Sequence, residues 1–253
     1  MSKILLLVLL SVGGSTVLGV FGGLLVRRIP HHFNDAILGC AAGVMLAAAV
    51  LGLLVPAFDV PKSGMLIALC GTFAGAGLIS VLDKITPHLH RLAGVDIEDH
   101  HNGSIGKTLL FVAAIALHKI PEGLATGVSF GTGDIGDVMT VAGSISLQNV
   151  PEAMVIVAPL FAIGLKAKRV VTISFAIAII SMISVVCGFA LVAVFVSALP
   201  FLLAAAGGAM LYVVSDEMIP ETHAHGFEKE ATFALITGFL IVLILQTLLE
   251  GIS

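Results

Sequence analysis

Six stretches of this chain run without a charged residue: Ile4–Val26, Ala36–Phe58, Met65–Leu82, Val170–Leu199, Phe201–Ser215 and Ala231–Leu249. A helix needs roughly 20 apolar residues to cross a hydrocarbon core about 30 Å thick. Most of these stretches meet that length. Phe201–Ser215 is short alone but continues through Asp216 and Glu217 to Ile219. Two further apolar stretches are interrupted only by isolated charges: Thr108–Phe130 contains Lys119 and Glu122, and Val138–Leu165 contains Glu152. The pattern predicts an all-α polytopic membrane protein with eight transmembrane helices in a single domain over residues 1–253. Segments of about ten alternating residues, the mark of a transmembrane barrel, do not occur. The first stretch is longer than the roughly 7–15-residue core of a secretory leader and is followed by Arg27 and Arg28, so it reads as the first span.

Composition agrees with the pattern. Hydrophobic residues make up 58% of the chain and charged residues 11%, with a mean hydropathy of +1.13. A soluble domain has about 25% charged residues, so this chain expects a lipid bilayer around it. Twelve Lys and Arg against sixteen Asp and Glu exclude a basic nucleic-acid binder. Cys40, Cys70 and Cys187 lie far apart in apolar runs and form neither a disulfide framework nor a paired-cysteine metal motif. Oligomeric state is not readable from the sequence, and a homodimer is left open.

Loop charges orient the spans. Arg27, Arg28, Lys84, Arg91, Lys107, Lys166, Lys168, Arg169 and Lys229 fall in the odd-numbered loops; only Lys3 and Lys62 fall in the amino-terminal tail and even-numbered loops. Loops rich in Lys and Arg stay cytoplasmic. Both termini are therefore expected outside the cytoplasm, in a multi-pass protein of the cell membrane. The one long loop, residues 83–107 between spans three and four, is then cytoplasmic. It carries His88, His90, His100 and His101 among acids, which read equally as a weak metal-binding tail or as ordinary loop residues.

Ionisable groups at bilayer depth are costly and mark functional sites by default. Here they recur as a motif. His118, Lys119, Ile120, Pro121, Glu122 and Gly123 in the fourth span are matched by Gln148, Asn149, Val150, Pro151, Glu152 and Ala153 in the fifth. Both read polar, polar, β-branched, Pro, Glu, small. An i,i+4 spacing places His118 and Glu122 on one helix face, and Gln148 and Glu152 likewise. Each motif begins about 15 Å into its span at 1.5 Å per residue, near the midplane. Consecutive antiparallel spans bring the two motifs to one depth. A neutral imidazole with carboxylates and amide oxygens suits Zn²⁺, Fe²⁺ or Mn²⁺, whereas Ca²⁺ favours an all-oxygen site. One Pro-Glu pair alone would read as a kink with a paired acid; two copies with an imidazole favour metal.

Lys119 has two readings: a structural ion pair, neutralised by Glu122, Glu152 or Asp216, or a tethered ammonium standing where a second cation would otherwise sit. Met45, about 13 Å into the second span, is either a soft ligand or core packing. The polar run from Ser215 to His225 reads either as a relay of ligands toward the cytoplasm or, from Glu221 onward, as a solvated helix end.

The paired motifs resemble those of the ZIP (Zrt/Irt-like) divalent-metal transporters. His118–Gly123 is similar to the family's helix-4 signature, usually His-Asn-x-Pro-Glu-Gly, and Gln148–Glu152 to its helix-5 partner. Tyr212–Glu221 and Ala41–Leu46 resemble the bacterial GufA-like branch. The resemblance implies a 3+2+3 arrangement with helices 1–3 and 6–8 as inverted repeats. It implies a primary metal site of Met45, His118, Glu122, Gln148, Asn149 and Glu152. It also implies a second site sharing Glu122, with the residue at 119 and an acid of span seven, Asp216 ahead of Glu217. Lys119 stands here in place of the family's amide and Asn149 in place of a common Asp, which points to one ion rather than two. The function implied is movement of a divalent transition metal, zinc foremost and Cd²⁺ among the alternatives, toward the cytoplasm by alternating access. The metal is cargo, and no resident cofactor or enzymatic activity is expected. An intramembrane metallohydrolase and a membrane metal sensor without flux are the competing readings. The first needs two histidines, a carboxylate and an open water position, and only His118 lies at the midplane.

Overall fold

The computed structural model describes residues 2–26, 30–59, 62–85, 118–162 and 164–250, and these are helical with short turns and no strand. The helices in chain order are α1 (Ser2–Val26), α2 (His31–Ala47), α3 (Lys62–Ile85), α4 (118–129), α5 (Ile135–Ala162), α6 (Ala167–Val194), α7 (Leu199–Val213) and α8 (Glu228–Glu250). The polypeptide after α2 runs on through a π turn, Ala48–Leu54, into Val55–Phe58. The polypeptide after α7 does the same through Val214–Met218 into Ile219–Thr222. Seven of the helical stretches are long and apolar enough to cross a membrane; α4 is described only over its second part. This is a polytopic all-α membrane protein. The front of the expected fourth span, 108–117, and the four histidines of the 83–107 loop lie outside the described residues.

Most helices overrun the charge-free stretches that announced them. Helix α3 starts at Lys62 and includes Asp83 and Lys84, and α8 begins at Glu228. Charged residues end a hydrophobic run without ending a helix, because at the membrane boundary their heads reach water while the backbone stays bonded. Helix α6 stops earlier than its apolar run. Its carboxyl end lies at Phe195, before a single 3₁₀ turn at Val196–Ala198.

The connection from α4 to α5 is tight. A 3₁₀ turn at Phe130–Thr132 leads to Gly133, whose φ of 75° is a left-handed conformation that suits glycine. Asp134 then caps α5, its Oδ1 accepting from the Gly136 amide at 2.6 Å. The cap fixes where α5 starts, and so sets the register of its motif against that of α4.

The helices pack in two groups. Helix α1 lies along α5 and α6, while α2 lies along α8 and α3 along α7. Gly123 and Gly127 let α4 approach α6 closely: a Cβ at Gly123 would lie 2.5 Å from Ser184 Cβ and 2.7 Å from the Ser181 carbonyl oxygen. The seam between the groups is formed largely by α2 and its π turn against α5. A repeat is visible in the backbone. In both α2 and α7 the π turn closes with an i→i−5 bond, Val55 N–H to Val50 O and Ile219 N–H to Val214 O, and Pro56 or Pro220 comes immediately after. The packing pairs α2–α8 and α3–α7 match under the exchange of helices 1–3 with 6–8.

Candidate metal-handling site

Four helical segments bring the motifs together. Lys119 of α4 is 2% exposed and reaches across to α5. Its Nζ donates to Glu122 Oε2 at 2.7 Å, Asn149 Oδ1 at 2.7 Å and Glu152 Oε2 at 2.5 Å. One ammonium therefore satisfies both acids of the repeated motif with its three protons, the number an ammonium can donate. Asn149 ties this group to α1 as well, its Nδ2 donating to the Val12 carbonyl at 3.3 Å. His118 turns the other way: its Nε2 pairs with Glu217 in the π turn after α7.

Burial separates the two acids of that turn. Glu217 is 5% exposed, and Asp216 is exposed to the surroundings. Of the pair it is thus Glu217, rather than the favoured Asp216, that meets the midplane motif. Met45 is buried within the main apolar cluster, which also holds Ala49, Val141 and Ile145. Gln148 is fully buried, and among the described residues neither its Oε1 nor its Nε2 has a hydrogen-bond partner. A buried amide without partners is expensive. At this position, one turn before Glu152, it fits a group awaiting a polar guest.

No three His, Cys, Asp or Glu side chains among the described residues surround a common point as a metal shell does. The ion pairs account for this: Lys119 draws Glu122 and Glu152, and Glu217 draws His118. Holding a dication requires those pairs to open. The expected i,i+4 partnership of His118 and Glu122 is replaced by the i,i+3 contact of Lys119 with Glu122.

A further contact of a buried acid went unread in the sequence. Asp35, at the start of α2, is fully buried, and its Oδ1 meets His225 Nδ1 at 3.0 Å. The signal available was an acid placed immediately before the Ala36 run, too close to the span to be ordinary loop.

A helical membrane protein that gathers acids, an imidazole and an ammonium within its helix bundle is of the class that handles ions within the bilayer. The sequence profile of the ZIP zinc transporters matches residues 86–246, and the chain belongs to that family. It is 37% identical to the zinc transporter ZIPB of Bordetella bronchiseptica, over 93% of this chain and 78% of that protein. It is 34% identical to the zinc transporter GufA of Myxococcus xanthus, over 92% of this chain and 94% of the relative. Identity to the zinc transporter ZupT of Streptococcus mutans is 26%, over 91% of each chain.

Proposed function

We propose that this protein carries a divalent transition metal, zinc foremost, through the cell membrane toward the cytoplasm. His118, Glu122, Gln148, Asn149 and Glu152, together with Met45, hold the ion near the midplane. Lys119 stands in for a second cation, and Glu217 receives the ion on the α7 side, with exposed Asp216 beyond it. The observation that carries this reading is the convergence on α4 and α5 of two Pro-Glu motifs whose acids share one ammonium. The zinc-transporter relatives supply the cargo class, and the Lys and Arg bias of the loops supplies the orientation, with both termini extracytoplasmic.

Alternating access is supported by the packing. One group, α1 and α4–α6, carries the motifs, and the other, α2, α3, α7 and α8, faces it across a seam. Sliding or rocking along that seam would expose the midplane to either side in turn.

Zinc uptake into proteoliposomes tests the proposal. The wild type is expected to accumulate zinc and Glu122→Ala to lose uptake entirely. Tight zinc binding without flux in the wild type would favour a sensor, and metal-dependent cleavage of a membrane peptide would favour a hydrolase.

A further inference from the structure

Buried hydroxyls in membrane helices ordinarily bond back to the preceding turn, and this chain obeys that habit widely. Ser15, Thr16, Thr126, Ser174, Ser181 and Ser184 all donate to a carbonyl three or four residues earlier. Helix α5 breaks it. Thr140 is 1% exposed and Ser144 is fully buried, yet neither hydroxyl has a partner among the described residues. Gln148, unpartnered at both side-chain atoms among the described residues, completes the series. The spacing is i, i+4, i+8, which keeps the three within about 80° of the helix circumference and draws them out over about 12 Å. Ser146 Oγ also lacks a partner among the described residues, but it lies about 120–160° from each member of the row, on the other side of the helix.

We infer that Thr140, Ser144 and Gln148 form a polar track along which the hydrated ion reaches the midplane site from the α4–α5 turn. On the orientation proposed above, that turn is extracytoplasmic, so the track is the inward route from outside; this inference rests on the transport reading. Three features support it. The row starts one and a half turns into α5 and ends on a residue already placed in the ion site. Its members are neutral oxygens, which can replace or hold the water of a dication without trapping it as a carboxylate would. The opposing element is the π turn after α2, where Gly52 faces Val141 and Thr140: a Cβ there would lie 2.5 Å from Val141 Cγ2 and 3.9 Å from Thr140 Cγ2. Ala48, Ala49 and Leu53 of the same turn are fully buried. The start of the row at Thr140 thus lies against an apolar turn, on the seam where the two helix groups meet. Moving that turn aside lets water satisfy the whole row at once.

Two measurements test the track. The first places Thr140→Cys, Ser144→Cys and, as the off-row control, Ser146→Cys in a background with Cys40, Cys70 and Cys187 changed to Ala, expressed in intact cells. A membrane-impermeant thiosulfonate is expected to label positions 140 and 144 and to spare 146. The second is the double variant Thr140→Val/Ser144→Ala with its native cysteines, which is expected to lose about tenfold or more of zinc uptake at low zinc while its zinc stoichiometry in detergent stays that of the wild type. Failure to label 140 and 144, equal labelling of 146, or wild-type uptake by the double variant each overturns the track. A wild type that moves no zinc defeats the transport reading instead, and the labelling pattern still reports whether water reaches the row.

Discussion

Lys119 offers the sharpest perturbation, because the structure sets the size of the effect. Glu122 Oε2 and Glu152 Oε2 lie 2.7 and 2.5 Å from the same nitrogen, so they are at most 5.2 Å apart. Lys119→Asn removes the charge between them. At an effective dielectric of about 20, two like charges at that separation repel by about 3 kcal/mol. This agrees with the roughly 3–5 kcal/mol lost when one member of a buried pair is deleted. For a chain of this size about 2–4 °C of melting temperature goes with each kcal/mol, so zinc-free Lys119→Asn should melt about 10 °C below the wild type in detergent. Zinc should reverse the loss. The two freed acids with Asn149 and the new amide make a second oxygen-rich acceptor, and an ion present at about 100 times its dissociation constant stabilises by about 2.7 kcal/mol. Thermal melts with and without zinc, and zinc counted per chain by elemental analysis, read both effects. A variant that melts with the wild type in chelator and still binds the same number of ions would refute the account of Lys119 as a tethered cation.

Gln148→Leu should leave the zinc-free melting temperature unchanged or raised, since it removes two unpartnered buried polar atoms; isothermal titration should show zinc affinity lower by about tenfold. Gly43→Ala should be strongly destabilising, by about 3 kcal/mol or more, because the new methyl would overlap the Leu235 carbonyl where α2 meets α8. Gly143→Ala, whose nearest neighbour is Leu245 Cδ2 at 3.5 Å, should be tolerated, and thermal melts of the two side by side check the contrast.

The spans were legible because lipid demands long uncharged helices and little else produces them. The midplane motifs were legible because an ionisable group in such a run is an exception, and two exceptions with one spacing are a pattern. The pairing within the site was not. Spacing along α4 placed Lys119 about 100° round from His118, and the sequence does not show that its four-carbon stem reaches the acids of both helices. The preference for Asp216 over Glu217 came with the resemblance, whereas which of the two turns inward depends on the angular phase of the polypeptide after α7. A π turn at Val214–Met218 widens the helix there and shifts the phase of the residues within and beyond it. The track of Thr140 and Ser144 escaped because small hydroxyls in an apolar run raise no alarm until their missing partners are seen.

Charge balance explains how a lysine can sit among the proposed ligands of a cation site. Glu122, Glu152 and Glu217 are buried or nearly so, and Lys119 is the buried ammonium among them. With His118 neutral, three carboxylates and one ammonium leave two negative charges, the number that one divalent ion cancels. Without Lys119 the same acids would carry three, and one ion would leave a charge in the bilayer interior, where an unpaired charge is strongly disfavoured. A second ion would then leave one positive charge there, against two with Lys119 in place, so removing the lysine eases its entry. On the transport reading, the lysine therefore does more than fill space: its charge is what matches the proposed site to one ion. It also supplies an intramolecular partner for Glu122 and Glu152 when no metal is bound.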